Sequence, residues 1–203
     1  MKIICIGRNY SEHAKELGNE KPKEPVFFLK PDTAISPKGH PFFIPYFSKN
    51  IQHEVELVVR INRLGKHIEE KFAHKYYEQI GLGIDFTARD IQQKMKEKGL
   101  PWEKAKGFDG SAVISREYVN KKYLKLDNLN FSLKKNKTVV QSGNTQQMLF
   151  NIDQIIAYIS QFYTLKIGDL IYTGTPSGVG KVNPGDVLEG FIEEKKMFEV
   201  KVR

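Results

Sequence analysis

The sequence predicts an α+β fold in which strands dominate. Three observations carry that expectation. Short apolar and β-branched runs outnumber segments with helical spacing. Helices do not alternate with the strands in the regular order of a doubly wound sheet. Gly, Pro and Asn punctuate the chain at short intervals without forming a low-complexity linker. At 203 residues and 40% hydrophobic content, the chain is long and apolar enough for one domain spanning residues 1–203 with a full core.

Residues 2–6 read as a strand, and residues 10–17 as a helix that stops at Gly18. Val26–Lys30 is a short apolar strand ended by Pro31, and Pro37, Gly39, Pro41 and Pro45 keep the following segment irregular. Residues 53–61 form a strand, 72–78 fit either regular structure, and 79–85 form another strand. Residues 87–98 read as a helix, with Thr87 as cap, Asp90 as its capping partner and Gly99-Leu-Pro101 as its stop. Residues 129–134 and 138–142 flank a Lys-Asn-Lys turn as a hairpin. Ile152–Phe162 is amphipathic at helical spacing, and residues 169–173, 186–192 and 197–202 complete the chain as strands, the last two paired.

Composition narrows the functional classes. The net charge is +8, yet its lysines are scattered, with small clusters at Lys94/Lys96/Lys98, Lys121/Lys122 and Lys134/Lys135/Lys137. No arginine-rich stripe or aromatic-basic ladder accompanies them, so a solvated lysine surface is expected rather than a nucleic-acid interface. Such a surface can still steer anionic ligands. The single cysteine, Cys5, excludes an internal disulfide and lies in a strand-like run, where a buried, inert thiol is expected. No apolar run is long enough to cross a bilayer, and the N-terminal apolar stretch is too short for a signal peptide. The expectation is a cytoplasmic protein without membrane or nucleic-acid partners.

The segment Gln52-His-Glu-Val-Glu-Leu-Val-Val59 is the most informative. Alternate side chains of a strand share a face, so Glu54 and Glu56 converge while Val55, Leu57 and Val59 point into apolar packing. Two neighbouring carboxylates beside an apolar core call for a cation. Taken alone, the pair reads better as surface glutamates on a solvent-facing edge strand. Asp85, at the end of another strand, is placed to join them, whereas Asp90 has its capping role and His53 alternates to the opposite face. Three carboxylates without cysteine or paired histidine suit Mg2+ or Mn2+ rather than zinc, with Ca2+ a further hard-cation alternative.

His13 and Glu16, three apart on the expected first helix, form either a base with its orienting carboxylate or a plain exposed polar face. The glycine-rich run Thr173-Gly-Thr-Pro-Ser-Gly-Val-Gly-Lys181 fails as a phosphate loop. The required glycine is replaced by Thr175, the Ser/Thr after the lysine by Val182, and a turn follows instead of a helix. A tight loop offering Thr175 and backbone amides to a carboxylate fits better.

The runs Gly7-Arg-Asn-Tyr-Ser-Glu-His13, Phe28-Leu-Lys-Pro31, His53-Glu-Val-Glu56, Asp85-Phe-Thr-Ala-Arg-Asp-Ile-Gln92, Gly99-Leu-Pro-Trp-Glu-Lys-Ala-Lys106 and Thr173-Gly-Thr-Pro-Ser-Gly-Val-Gly180 together resemble the fumarylacetoacetate hydrolase family. They occur in the family's order along nearly the whole chain. The nearest branch is that of the small acylpyruvate hydrolases and oxaloacetate decarboxylases. The resemblance implies a single catalytic domain with the family's mixed β-sandwich or roll, a metal held by Glu54, Glu56 and Asp85, and a homodimer. It places His13 and Glu16 on a lid that activates water and Lys106 where an enolate develops. Arg8, Lys30, Arg89, Gln92 and Thr175 are then candidates for binding a 2-oxo acid, with Arg89 equally able to pair with nearby acids. Cleavage of a C–C bond beside the 2-oxo group follows, with isomerisation of related diacids as a close alternative. A basic nucleic-acid-binding protein and a metal-binding scaffold without activity are the rivals from other classes.

Overall fold

The computed structural model describes residues 1–11 and 21–203 of the chain. A seven-stranded sheet runs β2 (Val26–Lys30), β1 (Ile3–Gly7), β11 (Leu170–Tyr172), β4 (Val55–Ile61), β5 (Tyr77–Asp85) and β7 (Ala112–Ile114), with β8 (Val119–Asn120) also pairing with β5. Only β1 and β11 pair in parallel there; the other neighbours are antiparallel. A four-stranded antiparallel sheet runs β10 (Thr138–Asn144), β9 (Asn130–Lys135), β13 (Val187–Ile192) and β14 (Lys195–Lys201). The third sheet is small: β12 (Gly180–Lys181), β3 (Ile51–His53) and β6 (Thr87–Ala88).

Side-chain alternation along β4 explains how the large sheet is covered. Val55, Leu57 and Val59 enter the main core with Leu133 and Leu188 of the four-stranded sheet and Ile155 and Ile159 of the helix Ile152–Phe162. Val58 points the other way, joining Ile3, Cys5 and Tyr172 in a second cluster. Cys5 is fully buried, and burial, then the nearby Asp85, raises its thiol pKa well above the usual value, as expected of an inert residue.

Three neighbouring segments cross from the large sheet to the small one at the same level. The chain leaves β3 and enters β4 at Glu54, leaves β5 and enters β6 through Phe86, and runs from β11 to β12 through the loop 173–179. The first two are tied at the crossing, where the Asp85 N–H donates to the Glu54 carbonyl at 2.8 Å.

Most expected elements appear with small boundary shifts, but three differ. The strand expected over 53–61 is interrupted at Glu54, because its two parts pair with different sheets. The helix expected from Thr87 begins at Arg89, since Thr87 and Ala88 are spent pairing with β3. Asp90 does not cap Thr87; it accepts from the Ser48 hydroxyl at 2.6 Å and from the Lys49 and Ile91 N–H groups at 3.0 Å each. The ambiguous stretch 72–78 holds the end of the helix Glu70–Ala73, a 3-10 turn over His74–Tyr76 and the start of β5. The helix expected over 10–17 falls largely outside the described residues.

Gly83 of β5 pairs with Glu56 and lies beneath Tyr172. A Cβ there would stand 2.4 Å from the Val113 carbonyl oxygen and 2.7 Å from the Tyr172 ring. Gly83→Ala is therefore expected to lower stability by about 1–3 kcal/mol in urea denaturation, as overpacking does.

Candidate metal centre

Glu54, Glu56 and Asp85 are all buried, at 5%, 1% and 1% exposure, and each offers an oxygen within 4.8 Å of the others. The crossing creates this cluster. Glu54 occupies the break itself, Glu56 follows two residues into β4, and Asp85 ends the adjoining β5. Burial, then repulsion from Asp85 and Glu54, drives the Glu56 carboxyl pKa well above the usual carboxylate range, despite opposing pulls from Lys106 and the Gly174 N–H.

Among the described residues, three cations form ion pairs with the acids. Lys106 Nζ lies 2.7 Å from Glu54 and 2.8 Å from Asp85, and 2.6 Å from the Thr87 hydroxyl. Burial disfavours its charge, but Asp85 and Glu54 outweigh that and raise its pKa. The Arg89 guanidinium pairs with Glu54 and donates to Gln52 at 2.8 Å and Gln92 at 2.6 Å. Lys30 Nζ stands 2.8 Å from Asp85 Oδ1. This ion pair holds Asp85 Oδ1 without a directed hydrogen bond, while Lys30 also donates to the Ser111 hydroxyl at 2.9 Å and to the Lys106 carbonyl.

These features fit a hard divalent cation. Asp85 Oδ1 is buried in the cluster with an ion pair to Lys30 but no hydrogen bond. Among the described residues, no ion pair reaches Glu56, whose carboxylate accepts the Gly174 N–H at 2.7 Å. All three donors are carboxylate oxygens, the ligand type that Mg2+, Mn2+ and Ca2+ prefer.

A small cavity of about 40 Å³ opens over the acids, lined among others by Arg8, Phe28, Arg89, Gln92, Lys106 and Thr175. Arg8 adopts a left-handed backbone, φ 60°, unusual for a residue with a side chain. Its neighbour Asn9 holds that turn, donating to the Thr173 and Phe150 carbonyls at 2.8 and 3.0 Å and accepting the Phe150 N–H at 2.8 Å. Arg8 Nε is buried without a hydrogen bond. Gly174 has φ 99°, and a Cβ there would lie 2.7 Å from that of Asn9, so only glycine lets the loop bring its N–H to Glu56.

The structure thus brings Glu54, Glu56, Asp85, Lys106, Arg8, Arg89, Gln92 and Thr175 together. Lys30 is different: it does not line the cavity but lies beneath it, with its ammonium committed to Asp85 and Ser111. His13 and Glu16 lie outside the described residues. His53 stays out of the acid cluster, as alternation predicts, and meets Gln141 at 2.9 Å.

Sequence reasoning missed Lys96, treating it as part of a solvated cluster. It lines the cavity, 5.6 Å over the Trp102 ring, and burial, then Arg8 and Arg89, lowers its pKa. The signal was present: Arg89, Gln92 and Lys96 fall on one face at helical spacing. Thr87, Ser111 and Gln141 were also missed, and nothing local marks them.

Removing a buried charge leaves its partner stranded. Lys30→Met is expected to cost about 3–5 kcal/mol in chemical denaturation. Lys71→Met, which breaks an exposed pair with Glu69, should cost less than about 1 kcal/mol.

The family model for the fumarylacetoacetate (FAA) hydrolase C-terminal region matches residues 2–203. The chain is 46% identical over 189 residues to the mitochondrial oxaloacetate decarboxylase of Dictyostelium discoideum, covering 93% of this chain and 87% of that protein. It is 41% identical over 200 residues to the mitochondrial oxaloacetate tautomerase FAHD1 of Bos taurus, covering 98% and 90%. The fold superimposes with a TM-score of 0.93 on a fumarylpyruvate hydrolase from Pseudomonas aeruginosa in complex with Mn2+ and pyruvate, at 33% identity, covering 100% of this chain and 89% of that one. With its curled, mostly β architecture and a match along almost its whole length, the chain belongs to the fumarylacetoacetate hydrolase family of enzymes.

Proposed function

We propose that this single-domain enzyme uses a divalent cation, Mg2+ in the first instance with Mn2+ or Ca2+ as alternatives, to cleave a C–C bond of a small 2-oxo acid. The observation that carries this reading is the buried Glu54–Glu56–Asp85 cluster beneath a small cavity whose remaining charged lining, among the described residues, is cationic. Bound there, the cation supplies a Lewis acid that offsets negative charge on the 2-oxo acid's oxygens. Arg8, Arg89 and Lys96 offer donors to the carboxylate groups of a small diacid, and Gln92 and Thr175 offer uncharged contacts.

Lys106 lines the cavity and offers its ammonium to the carbonyl oxygen that becomes an enolate when the bond at C3 breaks. For an acylpyruvate, His13, oriented by Glu16, takes a proton from water as that water attacks the distal acyl carbonyl. The C–C bond electrons pass into the enolate, a proton returns at C3, and pyruvate and a carboxylic acid leave. For oxaloacetate, the same bond change releases CO2 and requires no attacking water. A second reading, moving a proton between C3 and the C2 oxygen, is favoured by the oxaloacetate tautomerase among the relatives and uses the same residues.

Homodimerisation is part of the proposal and rests on the family resemblance. A small-molecule rather than nucleic-acid partner is supported by the dispersal of the lysines. Among the described residues, no helix is long and apolar enough to cross a membrane. The cytoplasm is the location inferred from the sequence, while several relatives carry mitochondrial names.

Pyruvate release from acetylpyruvate and oxaloacetate, together with keto–enol exchange of oxaloacetate, is the direct test. Turnover should require Mg2+ or Mn2+ and fall at least about a hundredfold after chelation; undiminished turnover would refute the metal mechanism. His13→Ala should reduce acylpyruvate hydrolysis by about 10²–10⁴-fold while sparing oxaloacetate decarboxylation and metal binding. Equal loss of both reactions would rule out its role as the water-activating base.

A further inference from the structure

Gln141 lies on β10 in the four-stranded sheet, outside the residues that line the cavity. Its side chain is buried and makes four polar contacts. Two of these are with backbone groups whose polarity is fixed. Oε1 accepts the Val55 N–H at 3.0 Å, and Nε2 donates to the Pro176 carbonyl at 3.0 Å. The amide therefore has one permitted orientation.

The other two contacts follow from that orientation. His53 Nδ1, 2.9 Å from Oε1, must carry a proton and donate it. The Thr175 hydroxyl oxygen, 2.8 Å from Nε2, must accept. A hydroxyl that accepts from one side keeps its own proton for another partner. Thr175 is itself buried and lines the cavity with the three acids and with Arg8, Arg89, Lys96 and Lys106; among the described residues no hydrogen bond takes its proton, which is therefore available to a ligand oxygen in the cavity. The Val55 N–H that Gln141 binds lies between Glu54 and Glu56, so one amide spans the acid-bearing strand and the ligand-facing loop.

We infer that Gln141 is a positioning residue that aims the Thr175 hydroxyl, as a hydrogen-bond donor, at an anionic oxygen of the substrate. This rests on the 2-oxo acid reading above and adds a specificity device to it: a preset donor selects a carboxylate or enolate oxygen over a group that can itself only donate.

Oxalate, a small dianion, is a suitable probe on the Mn2+-loaded chain, with affinities read by calorimetry. Thr175→Val should weaken oxalate binding on the order of tenfold or more, the size expected for a lost hydrogen bond to a charged group, whereas Thr175→Ser should stay within about threefold. Gln141→Met, of similar volume and without polar atoms, should weaken it comparably. The double variant Gln141→Met/Thr175→Val should be no weaker than the poorer single variant, because the hydroxyl is no longer aimed. Mn2+ affinity should be unchanged by Thr175→Val, and for oxaloacetate the loss should appear in KM more than in kcat.

Wild-type affinity in Thr175→Val, or losses that multiply in the double variant, would overturn the inference. If Gln141→Met does not fold, the two Thr175 variants still decide whether the hydroxyl donates. A wild-type chain that binds Mn2+ but no oxalate would instead defeat the 2-oxo acid reading, and this inference with it.

Discussion

The Asp85 N–H meets the Glu54 carbonyl at 2.8 Å at the point where two paired segments leave one sheet for another. Everything distinctive about the site depends on that crossing. Within a continuous sheet, neighbouring strands present side chains at fixed intervals on two faces. At the crossing that regularity lapses, so Glu54, Glu56 and Asp85 turn toward one point while Val55 and Leu57 stay in the core. The loop from β11 to β12 crosses at the same level and brings the Gly174 N–H to Glu56 and Thr175 to the cavity. The candidate site sits where sheet pairing changes, and the core fixes its position from beneath.

The electrostatics follow from that placement. Three buried carboxylates are matched formally by Lys30, Arg89 and Lys106, yet the match is uneven. Glu54 and Asp85 hold the cationic partners, while Glu56 has an N–H group and an elevated pKa. Lys106 contacts Glu54 and Asp85, two of the three residues that would hold a divalent ion, and so sits at the border between the acids and the cavity. Lys30, walled in beneath Asp85, stays in place and fixes the carboxylate from behind.

Much of this was legible from residue spacing. Residue spacing pointed to Glu54 and Glu56 as neighbours, though the strand breaks at Glu54, and the apolar runs marked β2 and the helix Ile152–Phe162 with their observed bounds. What was not legible had tertiary causes. Strand propensity continues through Glu54, so no local signal announces a change of sheet. Thr87 followed by Asp90 has the pattern of a helix cap, but β3 claims the Thr87 backbone, Lys106 binds its hydroxyl, and Ser48 and Lys49 claim Asp90. Lys30 carries the charge expected of a substrate contact, and only the packed fold shows that charge spent on Asp85. Gln141 looks like any polar hairpin residue until the two sheets close on it.

The central claim is that the three converging carboxylates are a divalent-cation site. Equilibrium urea unfolding of the wild-type chain and of Glu56→Gln across a Mn2+ titration tests it without any assumption about substrate. A ligand that binds only the folded state stabilises it by about 2.7 kcal/mol at a hundred times its dissociation constant. Wild-type stability should climb with the logarithm of Mn2+ concentration, and Glu56→Gln should need much more Mn2+ for the same gain. Wild-type unfolding curves that coincide with and without millimolar Mn2+ would contradict the claim.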